Sequence, residues 1–539
     1  MSPQSETAAL VDALREHLAR RRIEQGFRTL EAARSRIGRI GPGMPGSGVL
    51  LGLLAQWVDA GYAGPELLRG PLDCFPPGSR SALPLSEYLH VRMTEGVLAM
   101  FEEDFERAES HFRFIQSLEG EIADPELLAI ATFWTGRCLR KTGRYDDAVS
   151  YTAKGETLAL ASGYGEMAAI MQMSRSWLAF QQSRLSEALA LLRRAEAALS
   201  CTDDFLNRGN VQSAYGRVAR RKGRYEQALE CFERAIAEYR RGCGGEPQLA
   251  RALLNIAFVK RLVALQIQKT LDTAAASRRS GTELPQSAEA AREQRLRVEQ
   301  IRKEAAAQLE ESLAIYGRSR HHHGIASVHI NKGFLALDAG DLESAAAEAA
   351  EAFRHGEEKH DHIIMARART LQCMVEHARI EEQIGDPGRL LEDAAGHARD
   401  AVHYARQTQN RRLLARACVW EGLTHAAAPQ GNQDAARRCA EEAAALLKTG
   451  AAEGEYVWDD LERLKASVLR TTPIDVALRA WTAGIVGDKS FQEIEEEFAR
   501  IVIPKVWERE GRKVSRVAER LSISPKKVRR ILQAAGIRA

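Results

Sequence analysis

The side chains of this sequence best suited to binding chemistry are four closely spaced cations near the C-terminus: Lys526, Lys527, Arg529 and Arg530. Ser524 and Pro525 directly precede them and suit the N-cap and the first turn of a helix. Val528, Ile531 and Leu532 recur at helical spacing, so they would hold this helix on a core and leave the cations outside. Cations presented in this way suit phosphate oxygens and base edges. We therefore predict that Ser524 and the four cations bind double-stranded DNA.

The charge of the chain is concentrated in the same region. Residues 505–539 contain eleven Lys or Arg and three Glu, a net charge of +8. The whole chain of 539 residues carries only +3, so residues 1–504 carry −5. A basic module on a mildly acidic body indicates an anionic partner for that module.

The stretch from Phe491 to Ile537 resembles the Fis-type helix-turn-helix. The resemblance is carried by a Glu-x-x-Phe helix and by Gly511, Ala518, Leu521, Ile523-Ser524, Arg530-x-Leu532 and Gly536-Ile537. It implies that the last helix enters the major groove of DNA. It also implies that the earlier helices form a homodimer, here through Phe491, Ile494 and Phe498.

Two prolines depart from the Fis-type pattern. Pro525 stands where the family usually has an arginine that reads bases, so we expect weaker sequence preference. Pro504 is expected to interrupt the helix before the turn, because proline lacks a backbone donor. An alternative interpretation of the whole stretch is a basic helical tail that covers the last repeat of a solenoid.

The elements that precede this module repeat. A bulky apolar residue lies three positions before an alanine in five segments, which contain Ala108, Ala148, Ala188, Ala228 and Ala345. The first four alanines are 40 residues apart. A small residue lies twelve positions before each alanine: Gly96, Gly136, Ser176, Gly216 and Gly333. This pattern predicts pairs of antiparallel helices in which the small residue lets the second helix approach the first.

The repeats resemble the tetratricopeptide (TPR) family. The best copy has Tyr215-Gly216, Gly223, Tyr225, Ala228, Phe232 and Ala235. HEAT-like repeats share the 40-residue length but lack the Gly-x-Tyr-x-x-Ala turn. The resemblance implies an all-α, TPR-like superhelical solenoid of about eight helix pairs of about 40 residues each, followed by a small C-terminal helix-turn-helix domain.

The pattern divides the chain into four parts. Residues 1–88 are predicted to be helical and to contain degenerate or capping repeats, and residues 89–450 form the repeat array. An insertion near 266–300 breaks the register, and we interpret it as helix extensions flanking a loop. Residues 451–487 are predicted to be a helical linker, and residues 488–539 form the helix-turn-helix.

The first helices of the pairs are expected to line an inner groove that binds a protein or peptide partner. The positions one and four residues after Gly96, Gly136, Ser176 and Gly216, and after Ala257 of the repeat that the insertion interrupts, are Val97, Met100, Arg137, Arg140, Trp177, Phe180, Arg217, Arg220, Phe258 and Arg261. Apolar side chains and arginines alternate in this set, which predicts an acidic, partly apolar ligand. The alternative is that these arginines pair with acids of adjacent helices.

Catalytic and metal-binding motifs are absent from the sequence. It has no phosphate-binding loop of the Walker type, GxSxG, HExxH or kinase signature, so we predict no enzyme and no cofactor. The eight cysteines form no CxxC pair, and two histidine clusters, at 321–329 and 355–362, are interpreted as exposed, so we predict no metal. No signal peptide opens the chain and no apolar run reaches membrane-spanning length, which favours the cytoplasm without membrane association.

Two hypotheses follow from the sequence. In the first, the chain is a bacterial-type, DNA-binding transcription regulator whose repeat array binds a protein or peptide. In the second, it is a TPR adaptor or scaffold with a basic helical cap and no DNA binding.

Overall fold

The computed structural model describes residues 3–537 except 123, 243–244, 281–287, 428–431, 448–455, 472–490 and 535. All secondary structure in this described part is helical. The chain divides into two compact units, Met1–Leu464 and Lys465–Ala539. No helix among the described residues combines the length and the apolar character needed to cross a membrane.

The described residues up to Thr471 form 22 α-helices. The first five are α1 (Pro3–Ala19), α2 (Ile23–Ala32), α3 (Arg34–Ile37), α4 (Ser47–Asp59) and α5 (Glu66–Asp73). The next eight are α6 (Leu85–Phe101), α7 (Phe105–Ser117), α8 (Pro125–Lys141), α9 (Tyr145–Ala161), α10 (Gly165–Gln181), α11 (Leu185–Leu199), α12 (Phe205–Arg221) and α13 (Tyr225–Arg241). The last nine are α14 (Glu246–Ser280), α15 (Ala288–Arg318), α16 (His322–Ala339), α17 (Leu342–Glu358), α18 (His362–Glu381), α19 (Pro387–Arg406), α20 (Arg411–Ala427), α21 (Gln433–Leu447) and α22 (Tyr456–Thr471).

Helices α6 to α21 form eight successive antiparallel pairs, each packed on the next. The all-α solenoid of about eight pairs that the sequence predicts is therefore confirmed. The repeating alanines at 108, 148, 188, 228 and 345 are all fully buried. A Cβ atom added at Gly96 would lie 2.5 Å from Phe112, and one at Gly216 would lie 2.8 Å from Phe232. The small residues thus permit helix contacts that a larger side chain would prevent.

The insertion forms long helices. Helices α14 and α15 have 35 and 31 residues, whereas α12 and α13 have 17 each. Leu271 and Val298 lie in these extensions and are buried, because the extensions pack against each other. The loop expected between them falls on residues 281–287, outside the described residues.

The C-terminal unit contains α23 (Phe491–Arg509), α24 (Val514–Arg520) and α25 (Pro525–Ala534). Its core consists of Ile503, Trp507, Val517, Ala518, Val528, Ile531 and Leu532. The prediction that Pro504 interrupts the helix was wrong, because α23 continues through Pro504 to Arg509. Ile503 and Trp507, on either side of the proline, are both buried in the core and hold this helix in place. Apolar packing therefore outweighs the hydrogen bond that proline cannot make.

Candidate functional site

The inner face of the solenoid encloses a channel of about 1640 Å³. Its walls come mainly from the first helices of successive pairs, with contributions from α1 and α4. Thirteen Arg or Lys residues line it against four Asp or Glu residues, so the channel has a large excess of positive charge. Low-dielectric walls of one sign concentrate counter-ions, so this charge favours an anionic ligand.

Eight of the ten predicted groove residues line this channel: Met100, Arg137, Arg140, Trp177, Phe180, Arg217, Arg220 and Phe258. The other two do not. Val97 is fully buried in the core, where α4 covers α6. Arg261 is buried because its guanidinium pairs with Asp338, 2.9 Å from Nη2 to Oδ1, and lies over the ring of Phe334.

Arg137, one of the predicted groove arginines, is neutralised in the way that the alternative interpretation expects. Arg137 Nη1 lies 2.6 Å from Asp59 Oδ2. Burial opposes the charge of Arg137, but the neighbouring Asp59 carboxylate outweighs burial and raises the pKa of the guanidinium. This pair makes Arg137 a structural cation that joins α8 to α4.

Arg140 and Arg217 have no such compensation. Neither forms an ion pair with a carboxylate of the described residues, and Arg140 Nε is buried without a hydrogen-bond partner. Burial, followed by the charge of Arg137, lowers the pKa of Arg140 to about 10. Burial, followed by the charge of Arg251, lowers the pKa of Arg217 to about 9. The channel therefore holds cations that repel one another.

The hydrogen-bonding and aromatic partners of Arg140, Arg217 and the neighbouring Arg251 are neutral. Arg217 Nη1 donates to Ser213 Oγ at 3.1 Å, and Arg251 Nη2 donates to Asn210 Oδ1 at 2.7 Å. The Arg140 guanidinium lies 4.9 Å from the centre of the Trp177 ring. Hydroxyl, amide and aromatic groups orient a guanidinium without neutralising it, so its charge remains available to an anion.

Sequence reasoning missed six channel residues, each of which lies six positions before a small residue of a first helix (Gly136, Ser176, Gly216, Ala257, Gly333 or Gly422). These residues are Ile130, Ile170, Asn210, Arg251, Ser327 and Arg416. A step of seven residues back from the predicted groove position corresponds to about two helical turns and returns to the same face. The periodicity that identified Arg217 could therefore also have identified Asn210.

A seam between distant turns lies beside the channel, which Tyr145 and Asn410 both line. The backbone N–H groups of Gln409 and Asp146 donate to Gly143 O and to Gln409 Oε1, both at 2.8 Å. Asn410 Nδ2 donates to Tyr145 Oη at 3.3 Å, across 265 positions of sequence. The turn between α8 and α9 therefore rests on the turn between α19 and α20. No local pattern in the sequence marks this contact.

We expect Gly143→Ala to weaken the protein more than Gly223→Ala. Both glycines have positive φ, +83° and +70°, so alanine at either position costs about 1–2 kcal/mol. A Cβ at Gly143 would also lie 2.9 Å from Thr408 Cβ, whereas a Cβ at Gly223 meets nothing within 4 Å. Overpacking at the seam should therefore add about 1–3 kcal/mol. Urea denaturation of both variants measures the difference, and equal losses would show that the seam contributes nothing.

The predicted DNA-binding residues lie together on one short helix of the C-terminal unit. Lys526, Arg529 and Arg530 are exposed, and Lys527 is half-buried. Ser524 Oγ accepts a hydrogen bond from the Lys527 backbone N–H at 3.2 Å and so caps α25. Arg530 Nη2 lies 3.0 Å from Glu496 Oε1 of α23, a contact that the sequence did not predict.

The predicted dimer residues can be placed only in part. Phe491, Ile494 and Phe498 all lie on α23. Phe498 is 41% exposed, which is high for a phenylalanine. The side chains of Phe491 and Ile494 are outside the described residues, so the dimer stays a prediction.

Solved structures show the fold of the array. A Rap protein complexed with competence and sporulation factor aligns at 11% identity with a TM-score of 0.52, covering 75% of this chain and 98% of that one. The array is a TPR-like solenoid. Two further alignments have lower TM-scores: NprR with its cognate peptide NprX (0.43, 12% identity, 76% and 95% covered) and an IFIT1 monomeric mutant with Gppp-AAAA (0.47, 12%, 83% and 86%). No protein-family profile and no curated protein matches this chain.

Proposed function

We propose that this chain is a DNA-binding transcription regulator whose TPR-like array binds an acidic protein segment or peptide. The observation that carries the array's part of the proposal is that Arg140 and Arg217 line the channel without an ion pair to any carboxylate of the described residues, and that Arg140 Nε has no hydrogen-bond partner. A half-buried cation without a counter-ion destabilises a fold, so its presence in a concave site favours a ligand-binding role. A carboxylate of the ligand would supply the missing negative charge.

The size and lining of the channel favour a peptide-like ligand. A volume of about 1640 Å³ exceeds the roughly 300–1,000 Å³ of pockets that hold small molecules. Trp177, Phe180 and Phe258 provide apolar surface beside the arginines. The structurally similar Rap protein was solved in complex with competence and sporulation factor, which supports ligand binding by an array of this fold. We assign the array a binding role and not a catalytic one.

The DNA-binding part of the proposal rests on α25. Its apolar side chains, Val528, Ile531 and Leu532, are buried, so the exposed cations occupy the opposite face. Such a face suits a helix that lies in the major groove and contacts phosphates through its lysines and arginines. A regulator of this kind would act in the cytoplasm of a bacterial cell.

The alternative of an adaptor without DNA binding is favoured by one contact. Arg530 already pairs with Glu496, so one of the four cations has an intramolecular role. In that case α25 would serve only to complete the C-terminal unit.

Capture of sheared genomic DNA by the full chain, followed by sequencing, separates the two functions. A chain that ends at residue 487 serves as the control, because it keeps the array and lacks the basic unit. We expect the full chain to enrich a limited set of fragments and the shortened chain to enrich none. Equal recovery by both chains would favour the adaptor.

A further inference from the structure

One end of the pair formed by α16 and α17 brings two imidazoles and a carboxylate together. His322 opens α16, while His355 and Glu358 lie in the last turn of α17. His322 Nδ1 and His355 Nδ1 lie 3.8 and 3.7 Å from the same atom, Glu358 Oε2. The three donor atoms are all within 4.8 Å of one another.

Both imidazole nitrogens that face this carboxylate lack a hydrogen-bond partner. His322 Nδ1 and His355 Nδ1 are buried and form no hydrogen bond with any described residue. Buried polar atoms are almost always hydrogen-bonded, so two orphaned nitrogens beside one carboxylate oxygen need an explanation.

The sequence predicts no metal and exposed histidines here, but His322 and His355 are half-buried. We propose that His322 Nδ1, His355 Nδ1 and Glu358 Oε2 bind a divalent transition-metal ion, with Zn²⁺ as the best fit. Two imidazoles and one carboxylate are a donor set that zinc accepts, with water in the fourth position. Tetrahedral zinc places such donors roughly 3.4 Å apart. The observed separations of 3.7 and 3.8 Å to the carboxylate oxygen need only small side-chain rotations to reach that value.

Arg354 contacts two of the three proposed ligands. Arg354 Nη1 donates to Glu358 Oε1, which leaves the other carboxylate oxygen, Oε2, for the ion. On the other side of the ring, Arg354 Nη2 lies 3.2 Å from His355 Nε2, so this nitrogen accepts a hydrogen bond. Binding of an ion at His355 Nδ1 therefore requires the Arg354 guanidinium to turn away from Nε2.

A second grouping, His329 with Glu351 and His355 Nε2, is a weaker candidate. The Arg354 guanidinium already binds Glu351 and lies 3.2 Å from His355 Nε2, so a cation is present there. His329 Nδ1 is also engaged, 2.6 Å from Glu348 Oε2. The proposal therefore assigns the ion to the His322 side of the shared imidazole.

The site would attach the first residue of α16 to the end of α17. His321 and His323, on either side of His322, both line the channel. A bound ion would therefore stabilise one edge of the channel wall.

Calorimetric titration of the EDTA-treated full chain with ZnCl₂ at pH 7.5 tests this inference. We expect one site, with affinity reduced at least about tenfold by His322→Ala or His355→Ala. His403→Ala is the matched control, because His403 is an exposed histidine outside the cluster, and it should bind as the wild type does. Zinc should also raise the melting temperature of the wild type but not that of His322→Ala, with unchanged helicity confirming that the variant folds.

His329→Ala distinguishes the two groupings, and we expect it to keep zinc affinity. Loss of affinity in His329→Ala with full affinity in His322→Ala would overturn the assignment. The absence of any zinc binding to the wild type would overturn the site itself. Because the titration contains neither DNA nor peptide, either result leaves the proposed function untouched.

Discussion

Replacing Arg217 with methionine is expected to stabilise the free chain and to weaken its binding of anionic ligands. Folding disfavours the charged form of this guanidinium, since burial and Arg251 lower its pKa to about 9. The penalty is present at pH 7 and would be relieved only as pH rises through about 9. Methionine has a similar length and no charge, so we expect the free energy of unfolding to rise by roughly 0.5–2 kcal/mol.

Arg137→Met is the matched control for the stability measurement. Arg137 also lines the channel, but its guanidinium pairs with Asp59 at 2.6 Å. Methionine there leaves the Asp59 carboxylate without its cation, so the free energy of unfolding should fall. Urea denaturation of both variants shows whether each change raises or lowers the free energy of unfolding. A loss of stability in Arg217→Met would show that its charge is compensated in the free protein.

The binding half of this prediction uses a defined probe. A hexapeptide of alternating Glu and Leu is acidic and partly apolar, as the channel lining requires. Calorimetry should show at least about tenfold weaker binding to Arg217→Met than to the wild type, because a buried charge-assisted hydrogen bond is lost. If a peptide that binds the wild type binds the variant equally well, the channel arginines do not recognise the ligand.

Changing Lys527, Arg529 and Arg530 to alanine in the full chain should greatly reduce its affinity for duplex DNA. Each lost phosphate contact lowers the slope of log K against log salt by about 0.9. Removing the three cations should therefore reduce the slope by about 2–3, and less if Arg530 stays with Glu496. Val528, Ile531 and Leu532 are untouched, so α25 should remain folded.

A control with the same loss of charge is available far from α25. Arg28, Arg34 and Arg39 are exposed side chains of the N-terminal region, outside the channel. Changing them to alanine removes three positive charges as well, so it corrects for net charge. We expect near wild-type DNA affinity. Equal effects of the two triple changes would show that DNA binding responds only to overall charge.

Local periodicity was sufficient to predict the packing of the repeats. The phased glycines and alanines predicted close contacts between helices. Gly216 and Ala228 form such contacts, and the same pattern of a small residue and an alanine recurs every 40 residues. The same phase placed Arg140 and Arg217 on the channel wall.

Contacts between distant repeats could not be predicted in this way. The channel seam depends on how far the solenoid curves, and Gly143 and Gln409 come from turns with no shared pattern. Burial of Arg261 depends on Asp338, a residue of another pair. His322 and His355 come together only through the antiparallel register of α16 and α17. The histidine clusters in the sequence do not determine that register.

The binding of the full chain to duplex DNA as a function of salt tests the central proposal most directly. Fluorescence anisotropy with a labelled fragment from the genomic capture should show log K falling linearly with log salt, with a slope of about −3 or steeper. Binding should persist in the Arg28, Arg34 and Arg39 control and weaken in the Lys527, Arg529 and Arg530 variant. No detectable binding by the wild type at low salt, or affinity that does not depend on salt, would contradict DNA recognition by this chain.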